Sequence, residues 1–189
     1  MENRIVDIEL LERASRGDIE AFEAVYRATS SFVYNVALKI TRNNADAQEV
    51  TQDVFMKIYH SLKDFQFRSA FKTWLYRITV NTSINRYRKS AREQRGRQDY
   101  DSLIESLPAE SSTADDVIRR DNESMVDALL GLLSPEHKAC LVLREIEGLS
   151  YQEIALALKI PLNTVRTRLK RAREALLERG GKGLMRNAV

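Results

Sequence analysis

Two stretches of this chain carry side chains whose types and spacing suit the recognition of a polyanion. The first, FKTWLYRITVNTSINRYRK, runs from Phe71 to Lys89. Large aromatic and aliphatic residues recur there at three- and four-residue spacing, as one buried helix face requires. Lys72, Arg77, Arg86, Arg88 and Lys89 stand between them, with no acidic residue in the stretch. Trp74 and Phe71, with Phe65 and Phe67 just upstream and Tyr87 downstream, offer flat rings beside those cations. That combination suits single-stranded nucleic acid, whose exposed bases stack on aromatic rings at ~1–3 kcal/mol each. The competing reading makes Phe71, Trp74, Leu75 and Ile78 ordinary core; rings in the loop FQFRSAF have less reason to be buried.

The second stretch is a pair of short helices joined by a turn, SYQEIALALKIPLNTVRTRLKRAREAL. Ser150 and Glu153 form a capping box at its start, and Pro161 follows a tight connection. Ile154, Ala155 and Leu158 face inward from the first helix, Ile160 plugs the turn, and Val165, Leu169 and Ala172 face inward from the second. Thr164, Arg166, Thr167, Lys170, Arg171 and Arg173 are left mostly on outward faces. This is the helix-turn-helix pattern. Arginine can fork onto guanine edges in the major groove, while Lys and Thr hold phosphates and set the register.

The elements that position these stretches read as helices throughout. Seven Gly and three Pro in 189 residues leave few breakers, and 43% hydrophobic content is enough for packed cores. Ile5, Ile8, Leu11 and Ala14 mark one amphipathic face that ends at Gly17. Asp18 caps the next helix, with Phe22, Val25 and Tyr26 inward, and Phe32, Val33, Val36, Ala37 and Ile40 continue it until TRNNAD. Asp46 opens a third helix with Ala47, Val50, Val54, Ile58 and Leu62 on one side. After the linker, Val117 to Leu133 carries helical spacing. Ser134-Pro135-Glu136 then starts a helix that stops at Gly148, and Gly180-Gly181 closes the last one.

Charge divides the chain into blocks. Residues 66–97 hold nine Lys/Arg against Glu93, and residues 159–186 hold nine against Glu174 and Glu178. Residues 98–136 hold ten Asp/Glu against Arg119 and Arg120. Two basic surfaces separated by an acidic spacer point to two contacts with one polyanion. The spacer is polar and Ser-rich and lacks a second apolar face, so it reads as a linker in which Leu103, Ile104 and Leu107 could form a short helix. The fold class expected is all-α: two small helical domains, 1–93 and 122–189, joined by a flexible acidic linker, 94–121.

Other function classes find little support. No Gly-rich phosphate loop and no Cys/His group of metal-ligand spacing is present, and His60 and His137 are isolated. The expectation is no enzymatic activity, no cofactor and no metal. The single Cys140 sits in the apolar run ACLVL and reads as a buried hydrophobe. No apolar run approaches the ~20 residues that cross a bilayer, and the first residues lack a signal-peptide pattern, so a cytoplasmic protein without membrane insertion is expected. A repressor or activator using the C-terminal motif alone would bind duplex DNA by itself, usually as a dimer. A helical adaptor binding only proteins would leave both basic blocks unexplained.

DAQEVTQDVFMKIYHSLKDF, FKTWLYRITVN, an acidic linker and LREIEGLSYQEIALALKIPLNTVRTRLKRAREAL, in that order, strongly resemble the bacterial extracytoplasmic-function (ECF, group 4) RNA polymerase sigma factors of the sigma-70 family. The resemblance spans nearly the whole chain outside the linker. It implies a sigma region 2 helical bundle and a sigma region 4 helix-turn-helix domain. It also implies promoter-specific transcription initiation on core RNA polymerase, in a stress or envelope response, under an anti-sigma factor. By the same resemblance Gln48, Glu49, Gln52, Asp53, Phe55 and Tyr59 meet the β′ clamp helices, and the second domain meets the β flap. The loop from Phe65 to Phe71, with Phe67, Arg68 and Ser69, would hold a base flipped from the −10 strand, and Trp74, Asn81, Asn85 and Arg88 would contact that strand. Thr164, Arg166, Thr167, Arg168, Lys170, Arg171 and Arg173 would read the −35 element as duplex. Asn163 stands where many relatives have glycine, and as a capping residue it is expected to preserve the turn.

Overall fold

In a computed structural model of the chain, residues 6–65, 70–101 and 129–186 are described, with side chains through 93 in the second stretch and 178 in the third. Those residues form helices and no strand. The two-domain, all-α architecture expected from sequence is present. Phe67, Arg68, Ser69, Ile5 and most of the acidic linker, with Leu103, Ile104 and Leu107, lie outside the described residues, as does the expected helix from Val117 up to 128.

The first domain is a bundle of α1 (Ile8–Ser15), α2 (Ile19–Thr41), α3 (Asn44–Ser61) and α4 (Phe71–Asp101). Its connections are short because each start and stop has a residue for it. Gly17 takes φ +92, and Asp18 accepts a hydrogen bond from the Ala21 N–H at 3.0 Å. Arg42 ends α2 in the left-handed region at φ 58. The cap of α3 is Asn43, whose Oδ1 accepts from the Asp46 N–H at 2.9 Å; Asp46 is one turn inside, not at the start. Val25, Val33, Ala37, Val50, Val54, Ile58 and Leu75 make the centre of the core, all fully buried. Two residues expected inward are exposed: Ile8 at 42% and Tyr26 at 44%. The space is filled instead by Leu11, one turn from Ile8, and by Val25, the neighbour of Tyr26 in sequence.

Hydroxyls buried between these helices are satisfied locally. Thr29, Thr51, Thr79 and Ser83 each donate to the carbonyl four residues earlier, at 2.7–2.9 Å. Small polar residues can therefore line close helix contacts without orphaned donors. Helices α3 and α4 are also tied by charge. Arg86 donates through Nε to Asp46 Oδ1 at 2.7 Å and through Nη1 to Glu49, while Ser90 donates to Asp46 Oδ2 at 2.8 Å. Lys57 reaches Thr82 Oγ1 at 2.9 Å. The positive charge of α4, unbalanced along the sequence, is thus partly balanced across the fold.

The second domain contains α5 (Pro135–Leu141), continued by a π-helical turn Val142–Ile146, then α6 (Tyr151–Leu158) and α7 (Leu162–Arg186). Ser134 caps α5 with Pro135 at its first position, and Gly148 stops the turn at φ +70. Both halves of the Ser150–Glu153 capping box are made. The Ser150 hydroxyl and its backbone N–H hold the Glu153 carboxyl below its ordinary range. Leu143, Ile154, Ala157, Val165, Leu169 and Ala172 fill the core. Cys140 is fully buried, and burial pushes its thiol up.

Two helix ends differ from expectation. α4 runs on to Asp101 and α7 runs through Gly180-Gly181 to Arg186. Apolar periodicity reports burial, and residues 94–101 and 180–186 carry too little of it to mark a helix from sequence. Asn163 lies inside α7 and does not cap it; its Oδ1 accepts from Arg166 at 3.2 Å, and Thr167 donates to its carbonyl. The turn survives with Lys159 in the left-handed region at φ 52.

The domains are not separate bodies in this structure. Val36, Ile40, Tyr76 and Val80 of the first domain join the same buried cluster as Leu133, Leu143, Leu149 and Ile154 of the second.

Replacing Ser150 with Ala is expected to cost about 1 kcal/mol in thermal or denaturant unfolding. The lowered Glu153 carboxyl contributes stability that is complete above the ordinary glutamate range and is lost as pH falls through its depressed value. Glu153→Gln should flatten that acid-side slope. Arg86→Ala should destabilise the chain by ~1.5–3 kcal/mol through loss of charge-assisted bonds, and a double-mutant cycle with Asp46→Ala should be clearly non-additive.

Candidate nucleic-acid and polymerase interface

Three helices present the residues singled out from sequence. On α3, Gln48, Glu49, Gln52, Asp53 and Tyr59 are exposed along one side. Phe55 is not: it is 5% exposed and packs edge-on to Tyr26 with ring centroids 4.6 Å apart. Phe55 therefore supports that surface from beneath, and Tyr26 carries its aromatic character to solvent. Phe22 packs edge-on to Tyr59 at 5.1 Å and sets the orientation of that ring. Met56, 59% exposed, completes the stripe between Gln52 and Tyr59. Sequence reasoning passed over it, although the spacing 52, 56, 59 marks it as a neighbour of both.

On α4 the aromatic residues divide differently from expectation. Phe71 and Trp74 are 8% and 7% exposed and belong to the first core. Phe65, half-buried, lies 4.9 Å from the Trp74 ring and 6.2 Å from the Phe71 ring. These rings pack on one another and leave Trp74 little face for a stacking base. Tyr87 is also occupied, with the Lys138 ammonium 4.9 Å above its ring. Asn81 and Asn85 are exposed, one turn apart. Arg88 is one turn further on and half-exposed, and its guanidinium is paired with Glu136 of the second domain.

On α7 the expected inward residues Val165, Leu169 and Ala172 are buried, while Arg166, Thr167, Lys170 and Arg171 are exposed. Thr164 is half-buried at the first turn. Arg168 is half-buried and turns back toward α5, close enough to influence both Cys140 and His137. Burial, then Arg168 and Arg171, pull the His137 imidazole below its ordinary range, so it stays neutral near pH 7. Arg173 is held at 2.8 Å by Glu145 and contacts the Tyr151 hydroxyl. Arg168 and Arg173 are thus drawn toward their own domain, leaving Arg166, Thr167, Lys170 and Arg171 as the open edge.

No group of three His, Cys, Asp or Glu that could hold a metal occurs among the described residues, and none of their helices is long and apolar enough to cross a membrane.

Comparison with known proteins accounts for the same segments. Residues 25–93 match sigma-70 region 2 and residues 123–176 match sigma-70 region 4. The chain is 35% identical over 181 residues to the RNA polymerase sigma-H factor of Pseudomonas aeruginosa, covering 90% of this chain and 91% of that protein. It is 32% identical over 189 residues to the ECF RNA polymerase sigma-E factor of Escherichia coli K12, covering 93% and 95%. Among solved structures, CnrH in complex with the cytosolic domain of CnrY superposes with a TM-score of 0.64 at 25% identity, over 88% of this chain and 92% of that one. The sigma factor RpoE in complex with the anti-sigma factor NepR from Bartonella quintana gives 0.57 at 26% identity, over 83% and 94%. Both domains, their order and most of the length thus agree, and the chain belongs to the ECF sigma factors of the sigma-70 family, transcription initiation factors that carry no enzymatic activity.

Proposed function

We propose that this ECF sigma factor, of the two-domain group 4 plan, works in the cytoplasm by docking on core RNA polymerase through α3, capturing the melted −10 strand with α4 and reading the −35 element with α7. The observation that carries the reading is the division of α7. One face is buried against α5 and α6, and the other presents Arg166, Thr167, Lys170 and Arg171 to solvent. A packed helix with four exposed donors on one edge is what major-groove readout requires. The second domain also meets the β flap in this reading.

On α4, Asn81, Asn85 and Arg88 supply amides and a cation along one strip, suited to bases and phosphates of a single strand. The residues from Phe65 to Phe71, with Phe67, Arg68 and Ser69, take a flipped base, while Phe71 and Trp74 act as footing. A pocket for that base offsets the few kcal/mol that unstacking costs, so melting becomes favourable without chemistry. On α3, Gln48, Glu49, Gln52, Asp53, Met56 and Tyr59 form a mixed polar and aromatic surface suited to the β′ clamp helices. One solved relative carries an anti-sigma factor, which supports control of this chain by a partner of that kind.

Reconstitution decides the matter. Adding the purified chain to core polymerase should yield RNA from a defined start site, and neither component alone should do so. Arg171→Ala and Arg166→Ala should weaken holoenzyme binding to promoter duplex by about 1–3 kcal/mol each. Their effect should vanish on templates that lack the −35 element.

A further inference from the structure

Exposed cations on α7 are held by groups of two kinds. Arg173 is held by the Glu145 carboxylate at 2.8 Å, and Lys170 stands 3.7 Å from the carboxylate of Glu174, one turn on. Arg166 is held by a neutral group instead: its Nη1 donates to the Asn163 side-chain oxygen at 3.2 Å. An arginine offers donors only, so the amide must face it with its oxygen. Asn163 and Arg166 are both exposed, and their spacing makes them neighbours on one helix face.

The chemical difference matters for readout. A carboxylate partner cancels the charge of a cation and competes with the phosphates and base edges of a nucleic acid. A neutral amide does neither. It takes one N–H, leaves the rest of the guanidinium fork open, and narrows the directions in which that fork points. An untethered arginine on a helix surface swings among rotamers and reaches any nearby phosphate, a contact that carries no sequence information. A tethered one meets the base edges in one plane, and the edge offering two acceptors to a fork there is guanine. Order established before DNA arrives also lowers the ordering cost of binding.

The anchor is itself fixed by the turn. Lys159, in the left-handed region at φ 52, redirects the chain, and the Pro161 carbonyl accepts the N–H groups of Thr164 and Val165. The Asn163 carbonyl then accepts from the Thr167 hydroxyl at 2.9 Å. That contact belongs to the backbone, so a different side chain at 163 keeps it. The contact to Arg166 belongs to the side chain alone. Substitution at 163 therefore separates the two.

We propose that Asn163 is a positioning residue of the recognition helix, aiming Arg166 and thereby setting how strictly one base pair of the −35 element is discriminated. This rests on the reading of α7 as the −35 helix. Asn163 acts through Arg166 and not by its own contact with DNA.

The test uses holoenzyme reconstituted from core polymerase and the full chain. It is offered duplexes randomised across the −35 element of a promoter that it transcribes, and the bound fraction is sequenced. The readout is base preference at each position. Arg166→Ala identifies the base pair that Arg166 reads. Asn163→Ala should relax preference at that same pair by roughly threefold to tenfold and leave the other positions unchanged. In the double variant, Asn163→Ala should add nothing beyond Arg166→Ala. Asn163→Asp keeps an acceptor for Arg166 and adds a negative charge, so preference at that pair should be retained while every duplex binds more weakly. Position 163 is exposed, and alanine favours helix at least as well as asparagine, so both variants should keep the far-UV circular dichroism of the wild type. Unchanged preference in Asn163→Ala, or a loss spread evenly over all positions, overturns the proposal. Equal relaxation in Asn163→Asp also overturns it, because the amide nitrogen would then be touching DNA itself. If Arg166→Ala relaxes no base pair while the wild type still prefers one −35 sequence, the positioning role falls and the promoter reading stands. If the wild-type holoenzyme shows no −35 preference, the promoter reading fails and the positioning role falls with it.

Discussion

Helix α4 has to satisfy two hydrophobic cores at once, and most of the architecture follows from that constraint. Phe71, Trp74 and Leu75 point into the first core, while Tyr76 and Val80 reach the second. A helix buried on two sides keeps only a narrow strip for solvent, and on α4 that strip carries Asn81, Asn85 and Arg88. Its orientation is then set by packing, with no further device needed. The pairing of Arg86 with Asp46 and Glu49 adds a second restraint, linking the helix proposed to capture the promoter strand to the helix proposed to meet polymerase. Position on one surface is thereby mechanically tied to position on the other.

Recognition here depends on binding energy alone. In the function proposed above, the cost of unstacking a base and the separation of two promoter elements are met by contacts, because a sigma factor supplies no bond-making chemistry. A rigid frame serves that end, since contacts arranged before binding lose less to ordering. The buried hydroxyls of Thr29, Thr51, Thr79 and Ser83 contribute to the frame by closing their hydrogen bonds within their own helices. The helices can then approach closely without demanding partners from neighbours.

Local features were legible in the sequence where the physics is local. The caps at Asp18, Ser134 and Ser150, the glycine stops at 17 and 148, and the inward faces of α6 and α7 all follow from spacing and residue type. Helix length was less legible, since the sequence past Ser90 and past Gly180 lacks the apolar periodicity that would announce a helix. Aromatic residues were the least legible. Phe55, Phe71 and Trp74 have the composition of a ligand surface and the positions of a core, and only tertiary packing distinguishes the two. The same holds for charge. Arg86 finds Asp46 forty residues away and Arg88 finds Glu136 forty-eight away, so a block that is basic along the chain is partly neutral in space.

The π-helical turn at Val142–Ile146 has a geometric effect on the seam between domains. In a regular α-helix, at ~100° per residue, Glu147 would stand about 180° around the axis from Lys138. One extra residue in a single turn holds the phase back by about 100° and brings the two toward a common side. Lys138 meets α2 and Glu147 meets Tyr76 from one continuous rod, like two teeth of a key cut by a single offset. Winding the same residues as a regular α-helix would rotate Glu147 by about 100° away from Tyr76 and leave the fold of each domain with its own teeth but without a shared lock.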